Sequence, residues 1–307
     1  MQHLYWILQI VLVPMLAPLG IGITSSIKAK MQNRQGPSIF QPYRNLRKLF
    51  HKDEVISNDA SWIFRLAPYI IFGVTIIVGA SIPLFSSILH APTSDLLVVV
   101  YTLAIGTFFL ALAGMDTGSA FGGFGASREM TLSAVAEGSL IFSLLTLVVI
   151  SGTTNLTAIA HTITFEYGHF LIPILMAFAG FLIVLLAETK RFPFDNPDTH
   201  LELTMVHEAM LLEYSGKRLA LMEWASANKL FIFAAMAVNL FFPVGISSSF
   251  GASALLIGVG SMLVKVLTIY VGIAMIESLL AKFRFFRLPD LLFIAFILNV
   301  IAIGLVS

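Results

Sequence analysis

Long apolar runs alternate with short polar connections along this chain. Eight runs approach the roughly 20 residues a helix needs to cross a bilayer: about 4–23, 66–89, 96–113, 131–151, 170–187, 229–246, 252–276 and 288–306. The pattern predicts an all-α polytopic membrane protein with eight transmembrane helices in a single membrane domain, 1–307. Pro14, Pro18, Pro68, Pro83 and Pro173 fall inside or near the ends of these runs, which a membrane helix tolerates where a neighbour satisfies the freed carbonyl. The first run has no Lys or Arg before it and no small-residue cleavage site after it, so it reads as a retained span.

The connections differ in charge. Of the 18 Lys and Arg, all but Lys265 lie in or at the borders of four segments, 24–64, 114–130, 188–228 and 277–288. By the positive-inside asymmetry these are the cytoplasmic loops, and both termini lie outside. In the first loop, Ile39, Tyr43, Leu46 and Phe50 recur at helical spacing, Arg44, Arg47, Lys48 and His51 take the other side, and Pro42 suits a first turn. This predicts an amphipathic helix lying at the interface, facing either anionic lipid or a partner subunit.

Composition agrees and excludes much. Hydrophobic residues make up 58% and charged residues 11%, with a mean hydropathy of +0.91, the signature of a membrane protein. A net charge of +1 gives no reason to expect nucleic acid. Without cysteine the chain has no disulfide, thiolate or cysteine-held cluster. His207-Glu208 begins like a zinc-protease HExxH motif, but position 211 is Leu, and no metal site is expected.

The candidate chemistry is acidic. Between Ala187 and Gly216 stand Glu188, Asp195, Asp198, Glu202, Glu208 and Glu213, directly after a membrane-length run. Arg191, Pro193, Phe194 and Pro197 are threaded among them, so the loop reads as packed structure. Five glycines between Gly114 and Glu129 suggest tight backbone geometry, with Asp116 and the pair Arg128-Glu129 at the mouth of the bundle. Glu137 follows Glu129 by eight residues, which on a helix places it on roughly the same side and about 12 Å deeper. Ionisable groups at such depth line ion paths or pair with one another. Lys265, mid-span, is either a salt-bridge partner of Glu137 or another acid, or a member of a proton relay. Lys229 and Glu277 stand at the predicted span ends, where snorkelling would account for them.

Four ordered motifs carry a resemblance. Arg34-Gln35-Gly36-Pro37; Gly125-Ala126-Ser127-Arg128 with Glu137; Ala187-Glu188-Thr189-Lys190-Arg191 with Pro193-Phe194-Asp195; and Glu213-Tyr214-Ser215-Gly216 are similar to the subunit 1/H family of respiratory complex I. The stretches 114–129 and 34–49 are closer to its membrane-bound hydrogenase branch, of the formate hydrogenlyase type. The resemblance implies a non-catalytic membrane subunit joining a peripheral redox arm to antiporter-like membrane subunits, with proton or sodium translocation. It implies a proton pathway through buried acids, which Glu137, Glu188, Asp195, Asp198, Glu202 and Glu213 match by position; Glu129 and Lys265 join the candidate pathway by their placement in the bundle. Arg34, Gly36, Pro37, Asp116, Arg128, Arg191 and Glu277 would shape loops and contact partners. Those partners would be hydrogenase-like large and small subunits and an iron–sulfur protein. Iron–sulfur clusters would sit there, with a nickel–iron site left open. The inner membrane is the implied location.

His200 stands where the complex I pattern has a second Glu, and about three extra residues separate Glu202 from Glu213. Whether a quinone binds is therefore open. The alternatives are a quinone-chamber subunit of a complex I-type NADH or ferredoxin dehydrogenase, and a free-standing channel or transporter, against which the lack of an internal repeat counts.

Overall fold

The computed structural model describes residues 2–57, 59–88, 93–166, 168–195, 205–247, 251–281 and 283–306. Its helices are α1 (Gln2–Met31), α2 (Gln41–Phe50), α3 (Trp62–Ser81), α4 (Leu96–Asp116), α5 (Ala120–Ser151), α6 (Leu156–Glu166), α7 (Leu171–Glu188), α8 (His207–Leu211), α9 (Gly216–Phe241), α10 (Ala252–Leu279) and α11 (Leu288–Gly304), the last preceded by a 3₁₀ turn, Phe285–Arg287. Among the described residues, eight are long and apolar enough to cross a membrane: α1, α3, α4, α5, α7, α9, α10 and α11.

The spans are not equivalent. The α9 helix packs against α1, α2, α3, α6, α7 and α10. It is the least hydrophobic span, with a window hydropathy of 1.3, yet 83% of that window is buried. Protein, not lipid, surrounds it, which is why Asn228, Lys229 and Asn239 can lie along it. On one side α5, α7 and α11 form a group in which Asn299 donates to the Ser139 carbonyl at 2.9 Å. On the other, α10 is peripheral, with 22% of its window buried.

Proline behaves as expected in α1. Pro18 has no N–H for the Pro14 carbonyl, and the Trp224 indole of α9 donates to that oxygen at 2.9 Å. The amphipathic helix is α2: Leu46 is buried, and Arg44, Arg47 and Lys48 are exposed. Its Phe50 meets Trp224 edge to face.

Several boundaries differ clearly from the hydropathy reading. The glycine-rich stretch is mostly helix: α5 begins at Ala120, eleven residues before the predicted 131. A Cβ on Gly122 would lie 2.1 Å from the Gly114 carbonyl, so these glycines let α4 and α5 approach closely. Likewise α9 begins at Gly216 where the hydropathy window begins at 229, because its first half faces protein and carries polar side chains. The end of α3 falls at Ser81, and Pro83 lies beyond it in a buried non-helical segment containing Leu84 and Phe85.

Candidate functional site: two joined cavities lined by buried ion pairs

The third turn of α5, the middle of α9, the last turn of α7 and the short α8 come together toward the end of the bundle that carries the basic loops. Glu129 of α5 is 1% exposed and meets Lys190 at 2.6 Å. Glu188, the last residue of α7, is 5% exposed and accepts from Lys229 of α9 at 2.7 Å. A third cluster joins Arg191 to Glu277 of α10 at 3.2 Å, with Lys28 of α1 at 3.4 Å from the same carboxylate. Each cross-link ties elements distant in sequence. Breaking such a pair from one side costs about 3–5 kcal/mol, because the remaining charge is stranded.

The segment after α7 is shaped to deliver these residues. Lys190 takes a positive φ of 55°, and Arg191 donates its backbone N–H to the Leu186 carbonyl at 2.9 Å. The chain thus turns back at the helix end, sending Lys190 and Arg191 to different partners. Burial acts to lower the Lys190 pKa, but the Glu129 and Glu188 carboxylates override it and hold the ammonium above the ordinary lysine value. Asp195 is buried and accepts from the His207 backbone N–H at 3.2 Å, fixing the start of α8. Burial pushes the His207 imidazole down to about 4; Glu129 and Asp195 oppose that shift, and Lys190 and Lys229 reinforce it.

Two cavities meet here. The larger, about 580 Å³, lies between the end of α1, α2 and the segment after α7, with Lys28, Arg34, Arg191, Asp195, Glu223 and Glu277 among its walls. The smaller, about 50 Å³, reaches inward to Thr75, Glu129, Glu188 and Lys229. Thr189, Lys190, His207 and Ser226 line both. An approach from the chamber to the inner carboxylates therefore passes these four side chains.

The residues singled out from sequence fall into three sets. Glu129, Glu188 and Asp195 come together at the cavities, and Glu137, further along α5, lies within electrostatic range of the Glu188–Lys229 pair. Arg34, Gly36, Pro37, Asp116, Arg128, Arg191 and Glu277 organise backbone and cavity walls. Arg34 closes the end of α1 through its backbone N–H to the Ala29 carbonyl, 2.8 Å; Gly36 crosses so near that a Cβ would meet the Ala29 Cβ at 2.9 Å; Pro37 lines the chamber. Asp116 accepts from the N–H groups of Ser61 and Phe64 at the start of α3, at 2.8 and 3.3 Å. Arg128 donates to the Met205 carbonyl at 3.0 Å.

The third set stands apart. Lys265 is bound to neutral oxygens, Asn239 Oδ1 at 2.7 Å and the Phe242 carbonyl at 3.2 Å, near the opposite end of α9. The salt-bridge alternative with Glu137 is not the arrangement found. Glu213 is exposed. Its motif acts instead as a clasp: the Ser215 hydroxyl accepts from the Val55 N–H at 2.8 Å, and the Tyr214 hydroxyl donates to the Phe64 carbonyl at 2.9 Å while its ring stacks on Phe64. Burial raises the Tyr214 pKa. Asp198 and Glu202 lie outside the described residues.

Sequence reasoning missed Lys190, Lys229 and His207 as site residues. Lys229 stands mid-helix and not at a span end; the signal available was Ser215-Gly216, a start that would have lengthened the helix. His207 offered only a failed metal motif. Among the described residues no group of three or more His, Cys, Asp or Glu is placed to hold a metal.

A family model described as NADH dehydrogenase matches residues 4–307. The chain belongs to the NADH dehydrogenase subunit 1/H family. Within that family it is 37% identical over 296 residues to hydrogenase-4 component C of Escherichia coli (strain K12), covering 96% of this chain and 92% of that one. Formate hydrogenlyase subunit 4 of the same organism is 33% identical over 285 residues, 92% of each chain. The same fold occurs in a solved archaeal respiratory membrane complex, the membrane-bound sulfane sulfur reductase, with a TM-score of 0.84, 21% identity, and coverage of 100% of this chain and 99% of that one. The subunit 1/H member described here is thus a multi-pass membrane protein whose relatives are subunits of larger membrane complexes.

Proposed function

We propose that this chain is the membrane subunit of a hydrogenase-like complex of the formate hydrogenlyase type, linking electron transfer in a peripheral arm to movement of protons or sodium ions. The observation that carries the reading is the succession of two cavities from the basic-loop end to carboxylates sunk in the bundle, each carboxylate paired with a lysine. Such pairs respond to charge: a redox change beside the outer chamber shifts the balance at Arg191–Glu277, then at Lys190–Glu129, then at Lys229–Glu188, with Glu137 next along α5. Electrons stay in the iron–sulfur clusters of partner subunits, because this chain has no cysteine to hold one. Those partners are hydrogenase-like large and small subunits, an iron–sulfur protein and antiporter-like membrane subunits. The distribution of Lys and Arg supports an inner-membrane protein with both termini outside and the chamber facing the cytoplasm.

The test is Glu188→Gln and, separately, Glu137→Gln in the purified complex sealed into vesicles. Both are expected to lose ion movement driven by electron transfer. Wild-type ion movement and turnover in both variants would refute the reading.

One observation favours the quinone-chamber alternative: a 580 Å³ cavity is of the size that holds small organic ligands, and it offers Arg34 and Arg191 as donors to a carbonyl. Activity that responds to quinone analogues would support it, and insensitivity would remove it.

A further inference from the structure

Three buried polar atoms beside the inner cavity have no hydrogen-bond partner among the described residues: Nδ1 and Nε2 of His207, and Oε2 of Glu129. A buried polar atom without a partner is costly, and three around one cavity need a common explanation. The cavity, about 50 Å³, exceeds the roughly 10–15 Å³ that one water requires, and these atoms supply the polar contacts water needs.

His207 is also the residue best placed between the two spaces. It lines both cavities, and its backbone is fixed by Asp195 at the start of α8. Charged groups face it from every side: Glu129 from α5, Lys190 and Asp195 from the segment after α7, and Lys229 from α9. Glu188 stands in the inner cavity, and Glu208 and Glu223 stand in the chamber. Thr189 and Ser226, which share the partition, do not take up an extra proton near neutral pH, and the Lys190 ammonium is committed to Glu129. Imidazole alone here can accept a proton at one nitrogen while releasing one from the other.

We propose that His207 is the proton-transfer residue between the chamber and the inner carboxylates, a role that rests on the ion-translocation reading above. A proton from chamber water adds to one ring nitrogen. The imidazolium releases its other N–H proton through inner-cavity water to the Glu129 carboxylate, weakening that carboxylate's hold on Lys190. His207 is left as the opposite neutral tautomer, and rotation of the ring restores the first. No electron moves, and one proton enters for each one that leaves. Burial, reinforced by Lys190 and Lys229, keeps the imidazole neutral at rest, as a passing carrier must be, and makes its proton affinity depend on where Lys190 lies.

The experiment uses the complete complex in sealed vesicles and measures protons moved per electron transferred, for His207→Gln, His207→Gly and Glu188→Gln side by side. A positioned proton donor and acceptor contributes about 10²–10⁴-fold, so proton movement per electron should fall by about 100-fold or more in His207→Gln. Added imidazole should restore it in His207→Gly, whose vacated space opens to the chamber. Wild-type proton movement in His207→Gln alongside loss in Glu188→Gln overturns the assignment and leaves the translocation reading standing. Wild-type behaviour in both overturns the two together. Loss of assembly in both His207 variants, with no rescue by imidazole, marks a packing role and also overturns the proposal.

Discussion

The two ends of this bundle are held together by different chemistry. At the basic-loop end, α5, α7, α9 and α10 are cross-linked by Glu129–Lys190, Glu188–Lys229 and Arg191–Glu277–Lys28. At the other end the links between helices are made mainly by neutral side chains, with Asp95 capping α4 through the Leu97 N–H at 2.9 Å. Gln9 donates to the Ala80 and Ile82 carbonyls, both at 2.8 Å; Asn239 donates to the Pro83 carbonyl at 3.0 Å and also to that of Leu84; Lys265, the one cation there among the described residues, is given neutral acceptors. The neutral end keeps its energy whatever the charge state of a neighbour. The charged end does not, and so it is the end that can report a redox event.

The sharpest break is Lys229→Met. It strands Glu188, and a lone buried charge should lower stability by about 3–5 kcal/mol, read as thermal unfolding of the purified complex in detergent. Lys229→Met combined with Glu188→Leu should recover most of that loss, since an apolar pair of similar volume is often neutral or better. Next in size is pH. The His207 pKa is depressed by burial from 6.5 to about 4, so its contribution is full above the unfolded value and is lost as pH falls from about 6.5 toward 4. By linkage that amounts to roughly 3 kcal/mol. His207→Gln should flatten this part of the stability profile, and an unchanged slope would mean that the acid sensitivity arises elsewhere.

The same contrast separates what the chain discloses in advance from what it hides. The eight spans are legible because lipid selects each run independently, and α2 because its apolar side repeats at helical spacing. The start of α9 is not, since a helix wrapped in protein needs no apolar residues to stay in place. Nor were the glycines of α5: a glycine that opens a turn and one that lets two helices touch, such as Gly122 against Gly114, look identical in sequence. Acids at the site could be picked out by depth alone. Their partners could not, because Glu188 and Lys229 lie 41 residues apart and Arg191 and Glu277 lie 86 apart, and pairing is a property of the packed bundle. Glu213 shows the converse case, an acid in a family motif that is exposed while its neighbours Tyr214 and Ser215 make the contacts.

On the neutral end, Asn239→Leu removes the donor to two backbone carbonyls and an acceptor from Lys265. It should cost about 2–3 kcal/mol, less than Lys229→Met. The loss should be the same throughout the pH range in which His207 titrates. A pH-dependent cost would show that Lys265 changes charge there and would erase the distinction between the two ends.

The smallest effect tests the same point from one hydroxyl. The Tyr5 O–H donates to the Gly251 carbonyl at 2.9 Å, and the same oxygen accepts from the Gly251 N–H at 3.1 Å, closing the start of α10 onto α1. Tyr5→Phe keeps the ring against Phe85 and loses this bridge, whose net worth is about 1 kcal/mol. Thermal unfolding should shift by that amount, with ion movement per electron unchanged, because nothing at this end exchanges charge with the cavities. If Tyr5→Phe instead lowered ion movement as far as Glu188→Gln does, the neutral end would be part of the pathway, and the division of labour between shape and charge would fail.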